Sequence, residues 1–243
     1  MSELVLGIDT STRVCVGLAR DGEEIASHAV GDSRSHVEQL MPTVRAALDE
    51  AGVALADLTA VAVGMGPGPF TGLRVGVATA QTLATARRIP LLRVCSLDVL
   101  AVQWAQTSPA GSFIACTDAR RKELYWAVYD RFGMRTQGPC VSAPSDLPKL
   151  PCVGPGAVLY PMAGSGMDSF LALKLGVRVD GLASQWPRPE DVGDIVGIRA
   201  GVLAAYASLL PDVGPQPMYL RHADAVAPGA AKSVLPTAMR TAG

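Results

Sequence analysis

Few residues in this chain have both the type and the placement to do chemistry. Asp9, Thr10 and Ser11 end an apolar run that starts at Leu4. A carboxylate followed by hydroxyls and backbone N–H groups at a strand end can hold a metal-bound phosphate. The same three residues also make an ordinary Asx or ST turn capping a hairpin. Asp118 closes a second apolar run and is followed by Ala119-Arg120-Arg121-Lys122. That segment can meet an anion or can simply be a basic hairpin turn in water. Ser11 beside Asp9 has part of a nucleophilic arrangement, but a serine nucleophile also needs a histidine base. The three histidines, His28, His36 and His222, fall at neither helical nor zinc-ligand spacing. His36, in a first helical turn, reads as a capping or packing residue.

The densest pattern is Gly66-Pro67-Gly68-Pro69-Phe70-Thr71-Gly72-Leu73-Arg74-Val75-Gly76. Glycines permit turns that a Cβ forbids, and prolines fix φ on either side of Gly68. A dinucleotide fingerprint is excluded because residues 84–88, Ala-Thr-Ala-Arg-Arg, offer no acid for a ribose. A P-loop is excluded because the run ends Phe-Thr-Gly rather than Gly-Lys-Ser/Thr. The following helix, expected over 72–88, carries Gly72, Gly76, Ala80 and Ala84 at spacings of four, one ridge of small side chains. Such a ridge either packs closely on its own sheet or receives a helix of another subunit. In the second case the neighbouring ridge of Val75, Thr79 and Leu83 serves the core.

The elements that carry these residues follow an α/β order. Strands are expected at 4–10, 14–20 and 24–30, with Asp21-Gly22 as a hairpin turn. A helix opens at Ser35-His36-Val37-Glu38, a capping box, and runs to Ala51 with Gly52 as its stop. A strand at 60–64, the glycine loop and its helix, a strand at 91–95 and a helix at 97–106 complete the order βββαβαβα. Strands at 113–118, 123–129 and 135–141 begin it again, followed by a short helix start at 145–147 and a short strand at 150–153. This duplicated pattern is that of two facing α/β subdomains, 1–102 and 103–224. A long helix is expected over 189–210 and a disordered tail over 225–243. Apolar residues make up 49% of the 243, charged residues 18% and aromatics 5%, so the core is built from Ala, Val and Leu. The net charge of −1 disfavours a broad nucleic-acid-binding surface and leaves room only for a local arginine cluster. Five cysteines without a Cys-x-x-Cys pair read as buried reduced thiols of a cytoplasmic protein. The start Met1-Ser2-Glu3 shows no targeting segment, and prolines and glycines break 150–167 as a membrane span.

Several of these pieces together resemble the TsaB family, glycoprotease-like relatives of TsaD. They are Gly7-Ile8-Asp9-Thr10-Ser11, Ser35-His36 with Leu40 and Pro42, the glycine run, Ser96-Leu97, Asp118-Ala119-Arg120 with Glu123-Leu124-Tyr125-Trp126-Ala127, and Tyr219-Leu220-Arg221. Pro69 stands where the family usually has Ser, which stiffens the loop. The resemblance implies an actin/Hsp70/sugar-kinase-like fold and a non-catalytic scaffold role beside TsaD, the catalytic subunit, and the ATPase TsaE. That assembly transfers a threonylcarbamoyl group to the adenosine next to the anticodon of ANN-decoding tRNAs, and tRNA reaches this chain through the complex. The partner surface, used for a homodimer when the chain is alone, is expected at His36, Leu40, Gly72, Arg74, Gly76, Ala80 and Leu83. ATP or ADP with magnesium is expected, if at all, at the complex interface, with Asp9, Thr10, Ser11 and Asp118 as phosphate-binding candidates. The catalytic relative carries His-x-x-x-His where this chain has Ser96-Leu97-Asp98-Val99-Leu100. Leu100 cannot ligate a metal, so no metal or catalytic residue is expected there. The alternatives are a phosphotransferase or ATPase of the same fold, using Asp9 and Asp118 around magnesium, and a peptidase using Ser11.

Overall fold

The computed structural model describes residues 2–30, 36–106, 110–160 and 197–221. Strand β1 (Leu4–Asp9) is buried along its whole length and lies at the centre of the first sheet. It pairs antiparallel with β2 (Val14–Arg20), which pairs antiparallel with β3 (Glu23–Val30). The β2–β3 turn takes Asp21 and Gly22 through φ of 51° and 81°, the mirror-image turn that an Asp-Gly pair favours. Helix α1 (His36–Ala51) stops at Gly52, whose φ is +63°. After a single 3-10 turn (Leu55–Asp57), β4 (Ala60–Gly64) joins β1 in parallel. Helix α2 (Phe70–Arg87) leads to β5 (Leu91–Val94), parallel to β4, and then to α3 (Ser96–Ala105). The strand order is β3-β2-β1-β4-β5.

Alternation along β1 explains the layers. Leu6 and Ile8 point to the side where Leu40, Val44, Ala80 and Ala84 of α1 and α2 pack. Val5 points to the other side, with Leu97 and Leu100 of α3. That side also receives α5 (Ala200–Tyr206). Its backbone approaches the cross-strand pair Gly7 and Gly17 so closely that a Cβ on Gly7 would strike the Ala200 carbonyl and one on Gly17 the Gly201 amide.

The second sheet repeats the first in reduced form. Strands β6 (Phe113–Asp118), β7 (Leu124–Tyr129) and β8 (Arg135–Ser142) form an antiparallel meander, and β9 (Cys152–Val153) lies parallel to β6. The order β8-β7-β6-β9 matches β3-β2-β1-β4, so the duplicated α/β fold expected from the element order is present. Helix α4 (Pro155–Leu159) follows Gly154, which adopts φ of +98°. One core cluster crosses both halves, uniting Val5, Leu97, Phe113, Tyr129 and Leu203.

Three expectations about elements are corrected. Helix α2 begins at Phe70 rather than Gly72, because Pro69 in extended conformation caps it. The long helix expected over 189–210 is not continuous, since residues 197–199 are non-helical and α5 begins at Ala200. That helix was assigned to the second subdomain but packs on the first sheet, where the Gly7–Gly17 pair leaves room for it. The expected tail 225–243, residues 189–196, and Ser35 of the capping box lie outside the described residues. Cys15, Cys95, Cys116 and Cys152 are buried free thiols and Cys140 is half-buried, as composition suggests.

Candidate functional site

The candidate site is assembled around Asp9, the last residue of β1. Its side chain is fully buried. Oδ1 accepts the Ser11 backbone N–H at 2.8 Å and the Ser11 hydroxyl at 2.6 Å, and Oδ2 accepts the Ser96 hydroxyl at 2.6 Å. Ser96, at the start of α3, also receives the Gly66 N–H at 3.1 Å, and its own N–H donates to the Gly66 carbonyl at 2.8 Å. Thr10 Oγ1 donates to the Gly72 carbonyl at 2.8 Å. Burial drives the Asp9 carboxyl above its ordinary value, and the three hydrogen bonds from Ser11 and Ser96 oppose that rise.

Glycines close this knot. A Cβ on Gly64 would run into the Asp9 carboxylate, one on Gly68 into the Ser11 backbone, and one on Gly76 into the Thr10 hydroxyl. The glycine loop therefore fills the space beside Asp9-Thr10-Ser11. Those groups form a buried turn that ties β1, α2 and α3 together, the arrangement that the Asx or ST turn reading describes. Ser11 likewise donates its hydroxyl to Asp9.

The same observations relocate the small-residue ridge. Gly72, Gly76, Ala80 and Ala84 are all buried, and Ala80 and Ala84 sit in the core under the first sheet. The ridge packs on Thr10 and the strands of its own sheet, the first of its two readings. Leu40 is 1% exposed and belongs to that core as well. Leu83 is half-buried against it. His36 starts α1, and its side chain lies outside the described residues. The solvent side of α2 carries Thr71, Arg74, Ala78, Gln81, Thr82, Thr85, Ala86 and Arg87, small or uncharged residues apart from Arg74 and Arg87.

A second polar centre went unread in the sequence. Asp98, in the first turn of α3, is 2% exposed. Its Oδ1 accepts the Tyr129 hydroxyl at 2.7 Å and faces Arg135 Nε at 3.3 Å, while Oδ2 is buried without a hydrogen-bond partner among the described residues. Burial raises its carboxyl, against the Tyr129 bond and Arg135. Burial also pushes the adjacent Cys95 thiol up to about 12, and the Asp98 charge adds to the rise. Tyr129 and Arg135 belong to the second sheet, so this cluster fastens the two halves. The legible signal was an acid inside an otherwise apolar helix.

Asp118 sits elsewhere, at the end of β6. It accepts the Arg120 N–H at 2.8 Å and lies 3.7 Å from the Arg120 side chain. It is part of a basic hairpin turn, as one of its two readings has it.

The chain is similar to several known proteins. A family model described as TsaD, tRNA N6-adenosine threonylcarbamoyltransferase, matches residues 31–186. An uncharacterized protein of Mycobacterium leprae is 40% identical over 232 residues, covering 91% of this chain and 56% of that protein. The tRNA threonylcarbamoyladenosine biosynthesis protein TsaB of Escherichia coli is 38% identical over 128 residues, covering 52% of this chain and 55% of that protein. The matches thus span little more than half the length of these two relatives. The solved structure of YeaZ from Pseudomonas aeruginosa superposes with a TM-score of 0.66 at 28% identity, covering 90% of this chain and all of that one.

Proposed function

The chain belongs to the TsaB family, within the wider TsaD family, and from that premise we propose that it is a non-catalytic partner of a TsaD-type catalytic subunit in threonylcarbamoylation of tRNA adenosine. The observation that carries this reading is the closed turn at Asp9. Its carboxylate is fully buried and both oxygens are committed to Ser11 and Ser96. A group so engaged offers nothing to a nucleotide or metal, so the reading leaves ATP, ADP and magnesium chemistry to the TsaD and TsaE subunits.

The partner surface follows from the corrected faces of the helices. Helices α1 and α2 cover the same side of the first sheet. Outward they present Met41, 44% exposed, and the small uncharged stripe Thr71, Ala78, Thr82 and Thr85. Small side chains allow close helix–helix approach. We assign docking of TsaD to this stripe, and a homodimer to the same surface when the chain is alone. No helix among the described residues is long and apolar enough to cross a membrane, and the reading places the protein in the cytoplasm.

The test is co-purification with TsaD, followed by threonylcarbamoyl transfer with and without this chain. The expected outcome is a stable complex, with transfer requiring both subunits. Ala78→Arg, on the exposed stripe, should abolish the complex while the melting temperature stays unchanged. Normal pairing of that variant would place the interface elsewhere, and transfer by TsaD alone would remove the scaffold role.

A further inference from the structure

The N-terminal end of α2 carries a cluster around Arg74, a residue expected on the partner surface, that neither the docking stripe nor the Asp9 knot uses. Phe70 is 40% exposed and Tyr219 36% exposed, with ring centroids 4.7 Å apart and planes at 41°. The Arg74 guanidinium lies 3.8 Å from the Phe70 ring centroid, and its Nε reaches the Tyr219 hydroxyl at 3.4 Å. Two residues beyond Tyr219, Arg221 forms an ion pair with Glu123. Glu123 closes the turn Arg120–Lys122, donating its N–H to the Arg120 carbonyl at 3.0 Å. Two residues of backbone and the Arg221–Glu123 ion pair therefore link Tyr219 to the basic turn.

Two features set this corner apart from ordinary surface. Arg74, Arg120, Lys122 and Arg221 supply four cations against the two carboxylates of Asp118 and Glu123, a local excess of two among the described residues on a chain whose net charge is −1. The turn also takes three consecutive non-glycine residues through positive φ: 63° at Arg120, 55° at Arg121 and 62° at Lys122. Such conformations are costly and persist where surrounding structure enforces them, so the outlier points to use. All three of these side chains are exposed.

We propose that this corner binds a single-stranded stretch of polynucleotide, one or two unstacked bases lying on the Phe70–Tyr219–Arg74 platform and phosphates meeting the Arg120–Lys122 turn. Bases stack on aromatic rings and on arginine planes, and flanking cations follow the backbone. Exposed stacked rings flanked by a basic turn are the combination that single-stranded nucleic-acid sites use, and Lys122 is of a type depleted in protein–protein interfaces. The inference goes beyond the scaffold role, in which tRNA reaches the chain only through the complex, and it can fail without that role failing.

The test is fluorescence anisotropy of a labelled, unstructured RNA oligonucleotide titrated with the full chain alone, at several salt concentrations. The Phe70→Ala/Tyr219→Ala double variant should bind about ten-fold or more weakly. Phe70→Trp, which keeps a stacking face, should bind within about two-fold of the parent. Arg120→Gln with Lys122→Gln should lower the slope of log K against log salt by about 0.7 per lost phosphate contact. Should the double alanine variant fail to fold, this charge pair of variants decides by its slope. Absence of binding up to about 100 µM at low salt, or an unchanged affinity and salt slope in the variants, overturns the proposal. Retained RNA binding with weakened TsaD association in the double variant overturns it too, and makes the corner a protein contact.

Discussion

Gly76→Ala separates a ridge packed on its own sheet from a ridge awaiting a partner. Gly76 lies in the middle of α2, where alanine is worth about 1 kcal/mol more than glycine by helix propensity. The added Cβ would overlap Thr10 Oγ1 and come within 3.1 Å of Thr10 Cγ2 and 3.2 Å of Thr10 Cβ. Thr10 cannot rotate away cheaply, because its hydroxyl donates to the Gly72 carbonyl at 2.8 Å. Overpacking of this kind costs about 1–3 kcal/mol, and loss of the buried hydrogen bond about 1 kcal/mol more. The net effect is a destabilisation of about 1–3 kcal/mol, or about 2–12 °C in melting temperature for a chain of this size. Thr10→Ala removes the hydroxyl and methyl that the new Cβ would meet. In that background Gly76→Ala should be neutral or stabilising by up to about 1 kcal/mol. The double-mutant cycle in urea unfolding should therefore report a coupling of about 1–4 kcal/mol. Equal effects of Gly76→Ala in the two backgrounds would refute the packing argument. So would a variant that loses association while keeping its stability.

Two further outcomes follow from the Asp9 knot. Ser96→Ala strips the donor from Asp9 Oδ2 and the acceptor from the Gly66 N–H, and should cost about 2–4 kcal/mol; an unchanged thermal melt would show that the loop holds without it. Asp9 titrates above its ordinary 3.8 in the folded chain because it is buried, so the folded state holds a proton that the unfolded state releases. Its contribution is fully present below that ordinary value and is lost as pH rises through the folded value. Asp9→Asn cannot titrate, so its stability relative to the parent should climb as pH rises through that window, read from urea midpoints between about pH 4 and about pH 7. A difference that stays flat with pH would rule out burial as the dominant influence on Asp9.

Much of the architecture was legible because it is written in local periodicity. Alternation in 4–9 and 14–20, the Asp21-Gly22 turn, the Gly52 stop and the repeated strand order depend on residues within a few positions of one another. The small-residue ridge was legible too, as a ridge. Which way it faces was not, because spacing places Gly72, Gly76, Ala80 and Ala84 on one side of a helix without saying what lies against that side. Only the tertiary structure put Thr10 there.

The same limit applies to the site. The types at Asp9 and Ser96 were visible, but they lie 87 positions apart, and their 2.6 Å hydrogen bond exists because β1 and α3 meet at the glycine loop. Asp98 finds Tyr129 on the second sheet, and Phe70 finds Tyr219 near the end of the described chain. The sequence by itself determined most of the elements, their duplicated order and the family. The tertiary structure decided which polar groups are buried against each other and which remain in water, because burial and desolvation are properties of the packed chain, set by contacts between segments whose separation in sequence carries no record of their distance in space.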